Sequence, residues 1–192
     1  MQLRNSSSRY GAVSIFLHWF IALAVFGLFA LGLWMVGLDY YSPWRKEAPD
    51  LHKSIGLTLL ALMVIRVVWR WISPAPPALA SYSRATRIGA KLGHGFLYLS
   101  LFAVMIAGYL ISTAEGVGIP VFGLFEVPAL ISNLPDQADV AGVVHLYLAW
   151  AVVIFAGLHG LVALKHHFID LDATLTRMLG RKARCSNSTQ KE

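Results

Sequence analysis

The residues most able to do chemistry in this 192-residue chain are seven histidines, all within apolar stretches or at their ends. An ionisable side chain at membrane depth is costly, so it marks either a function or a partner across helices. His145 and His159 lie 14 residues apart. In a helix that is about 21 Å and close to four whole turns, so both imidazoles leave nearly the same face, one toward each end. His18 lies near the start of the first apolar stretch, and His52 opens the second. Stretches that cross in alternate directions put His18 at the depth of His159, and His52 at the depth of His145. Two stacked imidazole pairs in a helical bundle suit two b-type haems, each with two axial histidines. Imidazole suits iron, and bundle cores commonly hold such cofactors. One turn beyond these histidines stand Ala22, Gly56, Ala149 and Ala163. They leave room beside a flat macrocycle, and they equally favour close helix packing. Zinc is the competing metal, but its structural sites gather four ligands, and these histidines form two separated pairs.

Further candidates cluster at one end of the stretches. His94, His166 and His167 read either as interfacial polar residues or as contacts to a quinone, to a haem propionate or to protons. With Arg9 and Lys91, His94 and His166 form a rim whose donors could bind quinone carbonyls. His94 is also the alternative to His159 as a ligand, and the register of His159 with His145 favours His159. Arg66 lies about two turns inside its stretch, deep enough to pair with a haem propionate, since guanidinium matches carboxylate geometry. Arg70 reads as a snorkelling side chain. Trp19, Trp34, Trp44, Trp69 and Trp71 stand near stretch ends as an aromatic belt. The one cysteine, Cys185, lies in a polar tail. It excludes an internal disulfide, a four-cysteine metal centre and covalent Cys-x-x-Cys-His haem.

The elements that must position these groups are four apolar spans, approximately 13–38, 52–72, 93–112 and 141–168. Each is long enough for a bilayer core, which takes about 20 helical residues. The expected fold is all-α, an integral membrane four-helix bundle in a single domain covering 1–192. Hydrophobic residues make up 57% and charged residues 14%, with a mean hydropathy of +0.61, which excludes an ordinary soluble domain. The first span follows Arg4 and Arg9 but is too long for a signal-peptide core. It reads as a retained helix. Ser73-Pro74-Ala75-Pro76-Pro77 ends the second span, because proline lacks the N–H and clashes with the preceding turn. Residues 113–140 contain four acids and no Lys or Arg. Their apolar members Val121, Phe122, Leu124 and Phe125 point to a loop lying on the membrane surface.

Orientation follows from the basic residues. Arg4, Arg9, Arg70, Arg84, Arg87, Lys91, Lys165, Arg177, Arg181, Lys182, Arg184 and Lys191 fall on one side. Only Arg45, Lys46 and Lys53 fall on the other. Both termini are therefore expected in the cytoplasm. Topology accounts for the net charge of +6 without nucleic acid. The outer side carries seven acids against those three bases, so as a whole it does not draw in anions.

Several segments resemble the bacterial cytochrome b561 family: Tyr10 to Trp19, ending in His18-Trp19; His52-Lys53-Ser54-Ile55-Gly56; Arg66-Val67-Val68-Trp69-Arg70; and Leu164-Lys165-His166-His167-Phe168. The resemblance covers about residues 9–180. It implies a multi-pass dihaem cytochrome of the bacterial inner membrane that exchanges electrons with quinone. The family's ligand positions fall on His18, His52, His145 and His159. Some members oxidise superoxide at the outer face, which makes an outer electron donor and membrane lipid the expected partners. The alternatives are a cytochrome b subunit of a larger dehydrogenase and a histidine-relay metal transporter. The spans lack the continuous ionisable path that the transporter needs.

Overall fold

The computed structural model describes residues 2–180. Arg181, Lys182, Arg184, Cys185 and Lys191 lie outside the described residues. Four long helices make the body: α1 (Ala12–Val36), α2 (Trp44–Ile72), α3 (Arg84–Thr113) and α4 (Gln137–Phe168). A short hairpin, β1 (Ile119–Val121) with β2 (Phe125–Val127), joins α3 to α4. A last turn of helix, α5 (Thr174–Met178), follows α4.

Each long helix is apolar enough to cross a membrane. Their outward faces are apolar too: Leu23 is 72% exposed, Leu99 73% and Tyr147 71%. Water penalises such continuous apolar surface, whereas lipid accepts it, with every backbone group bonded inside the helix. The chain is a multi-pass membrane protein of the all-α class.

The helices overrun the apolar windows where their first turns are polar. α2 begins at Trp44 rather than 52, with Pro49 in its second turn. There a proline removes one helical bond without ending the helix. α3 begins at Arg84 rather than 93, because Ser83 caps it by accepting from the Thr86 N–H. Arg84, Arg87 and Lys91 are therefore helical rather than loop residues. α4 begins at Gln137 rather than 141, and α1 stops at Val36, two residues before the expected end.

Neighbours in the bundle follow chain order, α1 on α2, α2 on α3, α3 on α4, and α4 back on α1. Leu17, Ile21, Leu59, Met63 and Met105 make the buried core between α1, α2 and α3. One end of the bundle, the terminal end, carries the first and last described residues, and the other carries the hairpin. At the terminal end Asn5 donates to the Ser73 carbonyl at 2.7 Å, and Trp19 donates to the Met178 carbonyl at 3.0 Å. Arg177 donates to the carbonyls of Ser8 and Pro77 at 3.0 and 3.1 Å. These bonds lay α5 across that end.

At the hairpin end, buried polar side chains tie the loop down. Ser54 Oγ accepts from the Phe122 N–H at 3.0 Å. Thr113, fully buried, donates to the Ile131 carbonyl at 2.9 Å. Gln137 Nε2 donates to the Leu110 carbonyl at 2.9 Å, and its Oε1 accepts from the Leu134 N–H at 3.2 Å. Gln137→Leu would leave these backbone groups without their partner, at a cost of about 1–3 kcal/mol. The expected outcome is a lower thermal unfolding midpoint for the purified protein.

Candidate cofactor site

α4 presents His145 and His159 at opposite ends of the bundle, as the spacing of four turns requires. At the hairpin end His145 faces His52 of α2, with ring centroids 6.2 Å apart and planes at 68°. At the terminal end His159 faces His18 of α1, with centroids 6.3 Å apart and planes at 79°. Imidazole nitrogens bind a first-row ion at about 2.0–2.1 Å, so two rings sharing one ion across it have centroids roughly 6 Å apart. Both pairs meet that separation. The depth pairing expected from the sequence is the pairing found in the fold.

The surroundings of the hairpin-end pair suit ligation. His145 Nδ1 lies 2.8 Å from the Val104 carbonyl. A carbonyl only accepts, so Nδ1 carries the proton and Nε2 keeps its lone pair, the usual tautomer of a metal-binding imidazole. His52 Nδ1 is buried with no partner among the described residues. A cavity of about 420 Å³ opens beside both rings, lined by Leu28, Phe29, Leu101, Val104 and Val153 among others. Glycines face the imidazoles. A Cβ at Gly108 would sit 3.0 Å from His145 Cε1, and one at Gly32 would sit 3.4 Å from His52 Cε1. An apolar cleft with two convergent polar groups suits a large flat cofactor.

The terminal-end pair has company. His94 lies 5.2 Å from His159, centroid to centroid, and its Nδ1 lies 2.6 Å from the Ala90 carbonyl. Arg66 Nε donates to Tyr98 OH at 2.8 Å, and Arg66 Nη2 comes within 3.4 Å of His18 Nδ1. Arg66 and Arg70 both lie over the Tyr98 ring, 5.8 and 5.9 Å from its centroid. Tyr98 was not among the residues singled out from sequence. Its signal is its position four residues after His94, on the same face of α3.

The remaining rim candidates take other surroundings. Lys91 is exposed on α3, and the Arg9 N–H bonds Ser6 Oγ at 3.2 Å. His166, one heptad beyond His159, joins Asp170, Asp172 and Tyr82 in a separate cluster. There the hydrogen bond from Lys165 holds the Asp170 carboxyl below its usual range. His167 Nδ1 is buried without a partner among the described residues.

A family model described as prokaryotic cytochrome b561 matches residues 9–181. Over 183 residues the chain is 56% identical to cytochrome b561 homolog 2 of Escherichia coli (strain K12), covering 95% of this chain and 97% of that protein. It is 33% identical over 175 residues to a probable superoxide oxidase, CybB, of Yersinia pestis, covering 91% and 97%. It is 26% identical over 185 residues to cytochrome b561 homolog 1 of Escherichia coli (strain K12), covering 91% and 99%.

Proposed function

This chain belongs to the prokaryotic cytochrome b561 family, and from that premise we propose that it is an inner-membrane electron-transfer protein linking an outer-face reductant to quinone. The family implies haem b. The proposal adds the number, two haems, and the ligands, His52 with His145 and His18 with His159. The observation that carries it is the pair of matching imidazole separations, 6.2 and 6.3 Å, at opposite ends of the bundle. When bound, the haem irons supply reversible one-electron chemistry.

The chain's own residues do the rest. The bond from His145 to Val104 fixes which nitrogen faces the cofactor. Gly108 and Gly32 let the helices approach the ligand rings. Arg66 can only donate, so a His18 that gives Nε2 to iron carries its proton on Nδ1 and releases Arg66. The freed guanidinium then suits a haem propionate, and Tyr98 holds it in reach. The positive charge of Arg66 beside the inner pair favours an added electron there. Among the described residues, the cation beside the hairpin-end cavity, Lys53, is paired with Asp50 at 2.7 Å.

Quinone is assigned to the terminal end, where His94 lies beside His159. Its Nδ1–H is given to the Ala90 carbonyl, so Nε2 accepts from a quinol hydroxyl when neutral and donates to a quinone carbonyl when the ring is protonated. The outer reductant is assigned to the hairpin end. Superoxide is the candidate, by likeness to the Yersinia protein.

The test is a reduced-minus-oxidised spectrum of purified protein with a haem-to-chain ratio. Two b haems per chain supports the reading, and none ends it. A steady source of superoxide should then reduce the haems, and added ubiquinone should reoxidise them. His94→Leu is expected to slow reoxidation about tenfold or more, the scale of a lost positioned proton donor, with both haem spectra retained. Unchanged reoxidation kinetics would move quinone away from His94.

A further inference from the structure

We propose that His166, Asp170 and Asp172 form a binding site for one divalent transition cation at the terminal end of α4. The site is separate from the haem ligands, and it does not depend on the electron-transfer reading.

His166 stands in the last turn of α4, and the chain then turns back through Leu171, whose φ is +53°. That turn brings Asp170 and Asp172 against the imidazole. His166 Nδ1 lies 2.7 Å from Asp170 Oδ2 and 3.2 Å from Asp172 Oδ2. His166 pairs with both carboxylates at these distances, and its Nδ1 is buried. Ligands held about 2.0–2.2 Å from one ion stand roughly 3 Å from each other along the edges of its coordination shell. The two nitrogen-to-oxygen distances have that size.

The surroundings are those of ligating carboxylates, which are themselves hydrogen-bonded. Tyr82 OH donates to Asp172 Oδ2 at 3.0 Å, and the Thr174 N–H donates to Asp172 Oδ1 at 2.8 Å. Tyr82 OH also meets Thr174 Oγ1. The Tyr82 ring stands 5.1 Å from that of His166 and shields one side. Asp170 is shared with Lys165, whose Nζ lies 3.0 and 2.8 Å from its two oxygens. The ammonium is therefore the cation's competitor. One imidazole and two carboxylates suit zinc or manganese and leave coordination positions for water. A bound cation would join the end of α4, the Tyr82 loop and the start of α5 into one unit.

The probe is zinc. Haem-loaded protein without a polyhistidine tag is stripped with chelator, equilibrated with zinc and assayed for zinc per chain by elemental mass spectrometry. One zinc per chain is expected, with affinity reduced at least tenfold in His166→Ala and in Asp172→Asn. Equal uptake by wild type and His166→Ala would overturn the site, and so would no uptake by wild type. Lys165→Met guards against a misfolded variant. It removes the competitor and keeps all three ligands, so it should bind zinc more tightly. Binding unchanged or weakened in Lys165→Met would also refute the proposal.

Discussion

His52→Ala or His145→Ala is expected to cut the haem content of the purified protein from two per chain to about one, and to leave the remaining haem spectrum nearly unchanged. The argument rests on separation. His145 and His159 stand 14 residues apart on one helix, about 21 Å, so the pairs share no ligand. A haem that loses one of two axial imidazoles loses a strong field ligand, and its band and potential change most. His18→Ala and His159→Ala should form the second group, with the complementary haem lost or perturbed. Gly108→Val should join the first group with His145 intact. Its added carbon would stand 3.0 Å from the imidazole, and valine brings further atoms beyond it. Absorption spectra and redox titration of the five variants check the grouping. His18 grouped with His52 would break the pairing. A haem lost in His94→Leu would make His94 a ligand, against its 5.2 Å approach to His159, which is short for two rings across one ion.

The spatial pairing of the imidazoles was legible before any fold, because helix geometry alone converts a spacing of 14 residues into one face and two depths. The four spans were legible for a related reason: hydropathy reports the lipid that surrounds them. It does not report helix ends. α2 and α3 continue eight and nine residues beyond the apolar windows. Their first turns lie where side chains can be polar while the backbone stays helical, and only the Ser83 cap signals one of those starts. The hairpin was hidden by its turn. Phe122 and Gly123 both have positive φ, +51° and +69°, and Leu124 N–H closes the turn on Val121. Glycine is the usual choice there, but phenylalanine at the first position is no turn signal.

Contacts across the bundle were the least legible. Arg66 was expected near a cofactor, but its bond to Tyr98 depends on how α2 packs on α3. The grouping of His166 with Asp170 and Asp172 depends on a left-handed residue at Leu171. Leucine seldom adopts that conformation, so a sequence reading would run the tail straight on.

Collapsing the membrane potential is expected to shift electrons toward the His18–His159 pair by about tenfold per 100 mV removed, if the termini lie in the cytoplasm. Among the described residues, Arg4, Arg9, Arg70, Arg84, Arg87, Lys91, Lys165 and Arg177 fall at the terminal end by sequence position, against Arg45, Lys46 and Lys53 toward the hairpin end. The positive-inside tendency is the ground for expecting the terminal end inside. An energised cell is negative on that side, so the field resists electrons moving from the hairpin end to the terminal end. The spacing of the ligands, about 21 Å, is roughly two-thirds of a hydrocarbon core about 30 Å thick. A charge crossing the whole core costs about 2.3 kcal/mol per 100 mV, so this step costs about 1.5 kcal/mol. Arg66 beside the inner pair works in the opposite sense, because its charge attracts the electron that the field repels. Arg66→Met should therefore leave the inner pair harder to reduce at every imposed potential, with the same change per 100 mV. In oriented vesicles clamped by potassium gradients, the reduced fraction at each pair reads both terms by absorbance. A distribution indifferent to the imposed potential would place donor and acceptor on one side and sink the transmembrane route. A shift toward the hairpin end on collapse would put the termini outside.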